Sequence, residues 1–163
     1  MTYQDLWNRL VPLYGEGEAQ AIIRLVLEVK FGLSLTDIYT GKVNEISREA
    51  AEELDKIMQR LASSEPVQYV LGMEKFCGRS FKVAPGVLIP RPETEVLCHW
   101  IEADNNHSYC ALQPPVPLQV LDVGTGSGCI AVTLALDLYN SAVTAWDISA
   151  DALLIARDNV HRW

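Results

Sequence analysis

Three glycines follow a short apolar run in the middle of the chain, in the segment Gly124-Thr125-Gly126-Ser127-Gly128. Because glycine has no Cβ, such a segment can turn sharply and bring its backbone close to a ligand. The apolar residues 129–136 that follow predict a helix, whose first N–H groups have no partner within the helix and point at the turn. We therefore expect all five residues to form a ligand-binding turn between a strand and a helix.

An aspartate stands where a carboxylate could complete such a site. Asp147 follows the glycines by about 20 positions, at the end of the next predicted strand, where it could accept hydrogen bonds from both hydroxyls of a ribose. The spacing differs from the dinucleotide fingerprint, because Cys129 takes the place of its third glycine. A nucleoside without a pyrophosphate fits better, and we predict S-adenosylmethionine as the cofactor. A tight connection followed by a helix-capping aspartate is the alternative.

A second aspartate, Asp122, stands just before the glycines and is included among the candidate cofactor-binding residues. Its carboxylate could contact the amino group of the cofactor's methionine. It could equally accept an internal hydrogen bond from the turn, and the sequence leaves both alternatives open.

Composition and charge narrow the class of protein. The 163 residues are 49% hydrophobic and 21% charged, as in folded globular domains. The 13 Lys and Arg against 21 Asp and Glu give a net charge of −8, so the chain has no basic field to hold a phosphate backbone. We expect no direct contact with nucleic acid.

The cysteines argue against a metal-binding protein, and the apolar runs argue against a membrane protein. The four cysteines, at positions 77, 98, 110 and 129, form no Cys-x-x-Cys pair and have no histidine at metal-ligand spacing, so we expect no metal. No apolar run approaches the ~18 residues of a membrane span, and the N-terminus lacks the pattern of a signal peptide. We expect a cytoplasmic protein with no membrane partner.

The elements around the site predict an α/β protein. Residues 3–62 have apolar residues at helical spacing and predict a helical bundle, with Ser47 as a helix N-cap, which ends at the breaker cluster 63–66. Short β-branched and aromatic runs over 67–89 predict a β-hairpin.

The next predicted elements are a helix starting at Pro92 and a linker over 104–117. Residues 118–157 then predict a strand-helix-strand-helix order, whose last helix is capped by Ser149. The predicted α/β fold consists of a helical bundle (1–64), a β-hairpin connector (65–91) and the first part of a Rossmann-like sheet (92–163).

Two prolines stiffen the loop Pro90-Arg91-Pro92-Glu93-Thr94. A rigid loop lowers the entropy cost of presenting Arg91, Glu93 and Thr94 to a substrate. A salt-bridged helix start is the other interpretation of the same residues.

Four longer motifs are also present: Pro66-Val-Gln-Tyr-Val-Leu-Gly72, Phe76-x-Gly78-x-x-Phe81-x-Val83, Val87-Leu-Ile-Pro-Arg-Pro-Glu-Thr-Glu95 and Val120-Leu-Asp-Val-Gly-Thr-Gly-Ser-Gly-Cys-Ile-Ala131. Together they resemble those of one family, the release factor glutamine methyltransferases. The segment from Ile89 to Glu95 is the most specific of them, and the likeness covers the whole chain.

The resemblance implies transfer of a methyl group from S-adenosylmethionine to the glutamine side-chain amide of a Gly-Gly-Gln motif in peptide chain release factors. It implies that 124–128 and Asp147 bind the cofactor and that Arg91, Pro92, Glu93 and Thr94 are candidates for the substrate site. It also implies that the helical domain helps to hold the release factor.

The family's Asn-Pro-Pro-Tyr signature does not occur in these 163 residues, where Pro114-Pro115 is preceded by Gln113. We therefore expect no catalytic residue in this chain and no transfer by the chain alone.

An incomplete parallel sheet would leave apolar surface exposed, which predicts self-association. A non-catalytic module that binds a release factor or a nucleoside, and a DNA adenine methyltransferase, are the alternatives.

Overall fold

The computed structural model describes residues 2–106 and 116–163. The chain divides into two compact units, Met1–Leu71 and Gly72–Trp163. This division falls inside the predicted connector of residues 65–91, whose status as a separate connector stays a prediction.

The first unit is helical, as predicted. Its elements are α1 (Tyr3–Asn8), α2 (Val11–Tyr14), α3 (Glu16–Phe31), α4 (Leu35–Tyr39), a 3₁₀ turn (Lys42–Glu45), α5 (Arg48–Ala62) and α6 (Val67–Leu71). Side chains fix several helix starts. The Ser47 hydroxyl accepts a hydrogen bond from the Ala50 N–H (3.2 Å), which confirms the predicted N-cap of α5. The largest fully buried side chains of this unit form its apolar core: Leu6, Leu10, Ile23, Val26, Leu27, Leu54, Met58 and Leu61.

The prediction of strand structure over 67–89 is wrong at both ends. Val67–Leu71 is helix α6, with the Tyr69 and Val70 N–H groups bound to the Pro66 carbonyl oxygen. The Arg60 guanidinium donates to the carbonyl oxygens of Tyr69 (3.2 Å) and Val70 (3.3 Å), which satisfies the end of this short helix. Residues 87–89 alternate between buried and exposed but belong to neither sheet.

The predicted hairpin itself is confirmed at the start of the second unit. Strands β1 (Met73–Phe76) and β2 (Arg79–Lys82) pair antiparallel through a two-residue turn. Both turn residues, Cys77 and Gly78, have positive φ (46° and 73°), which matches the right-handed twist of a tight hairpin. Phe76 and Phe81 pack edge to face inside the hairpin, so its apolar side is buried.

The strand-helix-strand-helix order is also confirmed. It consists of β3 (Leu118–Val123), α8 (Cys129–Asp137), β4 (Ser141–Trp146) and α9 (Ala150–Arg162). Strands β3 and β4 are parallel, with Leu118 opposite Ser141 and Val123 opposite Trp146. Parallel pairing requires a crossover, which α8 supplies. Helix α7 (Pro92–Asn106) starts at Pro92 as predicted and packs on α8.

The predicted linker begins too early, because residues 104–106 still belong to α7. Cys110 and Pro114-Pro115 lie outside the described residues.

Across the described part of the chain, no helix is both long and apolar enough to cross a lipid bilayer. Within residues 2–106 and 116–163, the His, Cys, Asp and Glu side chains form no group of three that could hold a metal ion.

Candidate functional site

The glycine turn and Asp147 lie at the same edge of the small parallel sheet. The last paired residues of the two strands are Val123 and Trp146, so the chain leaves both strands at one level. The N–H groups of Gly124 and Thr125 both donate to the Trp146 carbonyl oxygen, each at 2.8 Å. The start of the turn is therefore tied to the end of β4. Ligands of parallel α/β sheets bind at this carboxyl edge.

The conformation of the turn requires its glycines. Gly124, Gly126 and Gly128 have φ values of 78°, 55° and 79°, in the left-handed region that other residues rarely adopt. The Gly128 N–H donates to the Thr125 carbonyl oxygen (2.8 Å), which closes the turn just before α8. Thr125 and Ser127, between the glycines, are buried.

Asp147 bonds directly to the turn. Its Oδ2 accepts a hydrogen bond from the Gly126 N–H (2.8 Å), and its Oδ1 accepts one from the Ser149 N–H (2.9 Å). These backbone donors, Ser149 first, lower the pKa of Asp147 and keep the carboxylate ionised at neutral pH. An ionised carboxylate has about four acceptor positions. Asp147 can thus hold the turn and still accept hydrogen bonds from a ligand's hydroxyls.

Asp122 makes the internal bond that the sequence left as one of two alternatives. Its Oδ2 accepts a hydrogen bond from the Thr125 hydroxyl at 2.7 Å. The carboxylate, only partly buried, lies next to the turn and can help to fix it. Its second oxygen keeps acceptor capacity for a ligand's ammonium group.

An open cavity of about 440 Å³ adjoins Gly124 and Asp147, and Asp122 is not part of its lining. Its volume lies within the usual range for small-molecule sites. Trp146 and Ile148 are largely exposed there, although both are apolar and lie on either side of Asp147. An apolar surface beside a carboxylate suits a nucleoside, whose base is flat and whose ribose carries hydroxyls. The full lining is Val123, Gly124, Ala145, Trp146, Asp147, Ile148 and Leu153.

The residues Arg91, Pro92, Glu93 and Thr94 lie at the start of α7, not in the turn. Arg91, Pro92 and Glu93 are exposed, and the Thr94 N–H donates to the Arg91 carbonyl oxygen (3.0 Å), which closes a local turn. Among the described residues, no hydrogen bond or ion pair joins this segment to 124–128. Its assignment to a substrate site stays a prediction.

Sequence reasoning missed two residues that hold the turn from α9. Asn159 is fully buried and donates to the Ser127 carbonyl oxygen at 2.8 Å. Ala156 packs against Gly128 so closely that a Cβ on the glycine would lie 3.1 Å from its methyl group. The sequence feature that could have identified Asn159 is its helical spacing, which places an asparagine on the same face of α9 as the apolar residues Ala152, Ile155 and Ala156.

A parallel strand-helix-strand unit, a glycine turn and a strand-end carboxylate are the features of a Rossmann-like domain, a fold class in which nucleoside-containing cofactors bind at this edge of the sheet. Comparison with known families agrees with this class. Residues 9–72 match the PrmC N-terminal domain, and residues 110–162 match the methyltransferase small domain.

Several individual relatives are release factor glutamine methyltransferases. The chain is 45% identical over 150 residues to the release factor glutamine methyltransferase of Bacteroides thetaiotaomicron, covering 92% of this chain and 51% of that protein. It is 46% identical over 126 residues to that of Koribacter versatilis (77% and 42%) and 39% identical over 148 residues to that of Streptococcus pneumoniae (90% and 50%). Across both matched domains, the chain is similar to the release factor glutamine methyltransferases. It spans about half the length of the curated relatives it matches.

Proposed function

We propose that this chain binds S-adenosylmethionine at the glycine turn and serves in methylation of the glutamine side-chain amide in the Gly-Gly-Gln motif of peptide chain release factors. The proposed reaction belongs to translation termination, in the cytoplasm. The observation that carries the cofactor assignment is the Asp147 carboxylate, held ionised beside the turn and the cavity.

Each part of the proposed site has a distinct task. The carboxylate of Asp147 would accept hydrogen bonds from the ribose hydroxyls, and the apolar side chains of Trp146 and Ile148 would contact the base. The turn would bring backbone close to the ligand without a Cβ in the way. Asp122 accepts a hydrogen bond from Thr125 through one oxygen, and its other oxygen would be available to the cofactor's amino group. When bound, the cofactor supplies a methyl group on a sulfonium sulfur.

The substrate is assigned by family. Relatives that match across both units are named release factor glutamine methyltransferases, which supports a release factor as the partner of this chain. We propose that the helical unit, which matches the PrmC N-terminal domain, contacts the release factor, and that Arg91 to Thr94 lie near the substrate amide.

Binding and transfer are separate steps in this proposal. The 163 residues contain no Asn-Pro-Pro-Tyr, the family signature for holding the amide that is methylated. Methyl transfer depends on in-line positioning of the nucleophile, so we expect the chain alone to bind cofactor and to transfer nothing.

Calorimetric titration with S-adenosylmethionine tests the cofactor site. Replacing Asp147 with alanine removes a charged hydrogen-bond acceptor, which costs about 1–3 kcal/mol, so we expect Asp147→Ala to weaken binding about 5- to 150-fold. Asp151→Ala removes an equal charge from an exposed position in the first turn of α9 and serves as the matched control. It should bind like the unaltered chain.

Two results would contradict the proposal. A folded chain that does not bind the cofactor would remove the site, and equal affinities for Asp147→Ala and Asp151→Ala would remove the role of Asp147. Incubation with a release factor and methyl-labelled cofactor then separates binding from transfer. Labelled release factor would show that the chain transfers methyl groups without Asn-Pro-Pro-Tyr.

A further inference from the structure

One buried polar side chain links the proposed cofactor turn to the hairpin. Asn159 lies on α9 and is 0% exposed, at a position that continues the apolar face formed by Ala152, Ile155 and Ala156. Burying an amide without partners costs free energy, so its hydrogen bonds must be accounted for.

The Asn159 amide has partners on both sides. Its Oδ1 accepts a hydrogen bond from the Lys82 N–H at 2.7 Å, and its Nδ2 donates to the carbonyl oxygens of Lys82 (3.0 Å) and Ser127 (2.8 Å). Both amide protons are used. One side chain therefore joins the last residue of β2 to the glycine turn.

The bond to Ser127 fixes a peptide group of the turn. The Ser127 carbonyl and the Gly128 N–H belong to the same planar peptide. The N–H end is bound to the Thr125 carbonyl oxygen at 2.8 Å, and the carbonyl end is bound to Asn159. Rotation of this peptide would break both bonds and leave one N–H of the buried Asn159 amide without an acceptor, while the other stays bound to the Lys82 carbonyl oxygen.

We propose that Asn159 is a positioning residue for cofactor binding: by holding the Ser127–Gly128 peptide, it keeps the turn in its ligand-ready conformation. This inference rests on the proposed function, because it takes the turn to be the cofactor site. Asn159 itself acts through the backbone of the turn. Without this bond, the turn samples other peptide orientations and its affinity for cofactor falls.

Asn159→Asp is the sharpest variant. It keeps an acceptor for the Lys82 N–H but replaces the donor by an oxygen facing two carbonyl oxygens. Asn159→Ala removes all three bonds without adding charge, and it serves if the aspartate variant does not fold.

Two controls separate positioning from stability. Leu138→Ala truncates a buried core residue just after α8, at the end of that helix away from the turn, and lowers the stability of the same unit. Asp158→Asn removes the exposed ion pair with Lys82, next to Asn159 in sequence, and leaves the Ser127 bond intact.

The first readout does not need the cofactor. We expect the Gly128 amide, followed by NMR hydrogen exchange, to exchange about tenfold or more faster in Asn159→Asp or Asn159→Ala than in Leu138→Ala at matched global stability. Equal exchange in the Asn159 and Leu138 variants would overturn the proposal, whether or not the chain binds cofactor.

The second readout is the affinity for S-adenosylmethionine. We expect the Asn159 variants to bind about tenfold or more weakly and the Leu138 and Asp158 variants to bind normally. Normal affinity in the Asn159 variants would overturn the proposal. If the unaltered chain does not bind, the proposed function fails, and the exchange comparison still decides whether Asn159 holds the turn.

Discussion

Gly128 is restricted in two independent ways at the end of the glycine turn. Its φ of 79° lies in the left-handed region, and the space where a side chain would start is taken by Ala156. Gly124 has nearly the same φ, 78°, but nothing lies within 4 Å of the position of its missing Cβ. Both glycines are thus required for the backbone conformation, and Gly128 alone is also required for close packing against α9.

This difference predicts unequal costs of substitution by alanine. Adopting the left-handed conformation costs a non-glycine residue about 1–2 kcal/mol, which applies to both Gly124→Ala and Gly128→Ala. Overpacking against Ala156 adds about 1–3 kcal/mol at Gly128 alone. Urea denaturation should therefore show the larger loss of unfolding free energy for Gly128→Ala. Equal losses would mean that α9 moves away at little cost.

The residues of the site differ in how well the sequence predicts them. The glycines and Asp147 could be singled out as candidates from the sequence, because their types and spacing follow from backbone geometry at a strand end. Asn159 was not, because its partners Lys82 and Ser127 lie far away in sequence and only the folded structure brings them together. The partner of Asp122 stayed open for a different reason: the carboxylate could bond to the turn or to a ligand, and the sequence favours neither.

At the scale of elements, the long periodic segments and the hairpin were predictable, and the short helix α6 was not. The patterns gave α5, α7 and the β3-α8-β4 order directly. Helix α6 has only five residues, of types common in strands, and its helical state depends on local bonds to Pro66 and on the Arg60 side chain from α5. A tertiary contact of this kind leaves no periodic signal in the sequence.

Helix α4 shows how side chains stabilise a short element. Ser34 and Asp37 form a capping box, and the Lys42 ammonium lies beside the Asp37 carboxylate. The hydrogen bond from Lys42, followed by those from Ser34, lowers the pKa of Asp37 to about 2. Because the pKa is lowered, the stabilising effect is present above the ordinary value of 3.8 and is lost as the pH falls towards 2.

This cause predicts the effect of removing Lys42. In Lys42→Ala the main donor is gone, so the pKa of Asp37, followed by NMR of its carboxyl carbon, should rise from about 2 towards 3.8. Lys30→Ala, which removes a cation from the end of α3, is the matched control and should leave the pKa unchanged. An Asp37 pKa that stays near 2 in Lys42→Ala would show that the Ser34 bonds suffice.

At the scale of the whole molecule, the small parallel sheet has two unlike faces. One face packs on α8 through Leu118, Val120 and Val143. On the other, Leu121 (52% exposed), Val123 (71%) and Trp146 (60%) lie together, because Val123 is paired with Trp146 and Leu121 lies two residues earlier on β3. A patch of large apolar side chains on one sheet face favours contact with other apolar surface.

We therefore predict that the chain self-associates through this face. The net charge of −8 opposes association at low ionic strength, so the average mass in sedimentation should rise above 18.1 kDa with concentration, and more steeply as salt screens the charge. Val123→Lys should reduce the association. Leu88→Lys, at a 74% exposed position outside the sheet, changes charge and apolar surface equally and should not. A mass of 18.1 kDa at every concentration, or equal effects of both lysines, would contradict association through the sheet face.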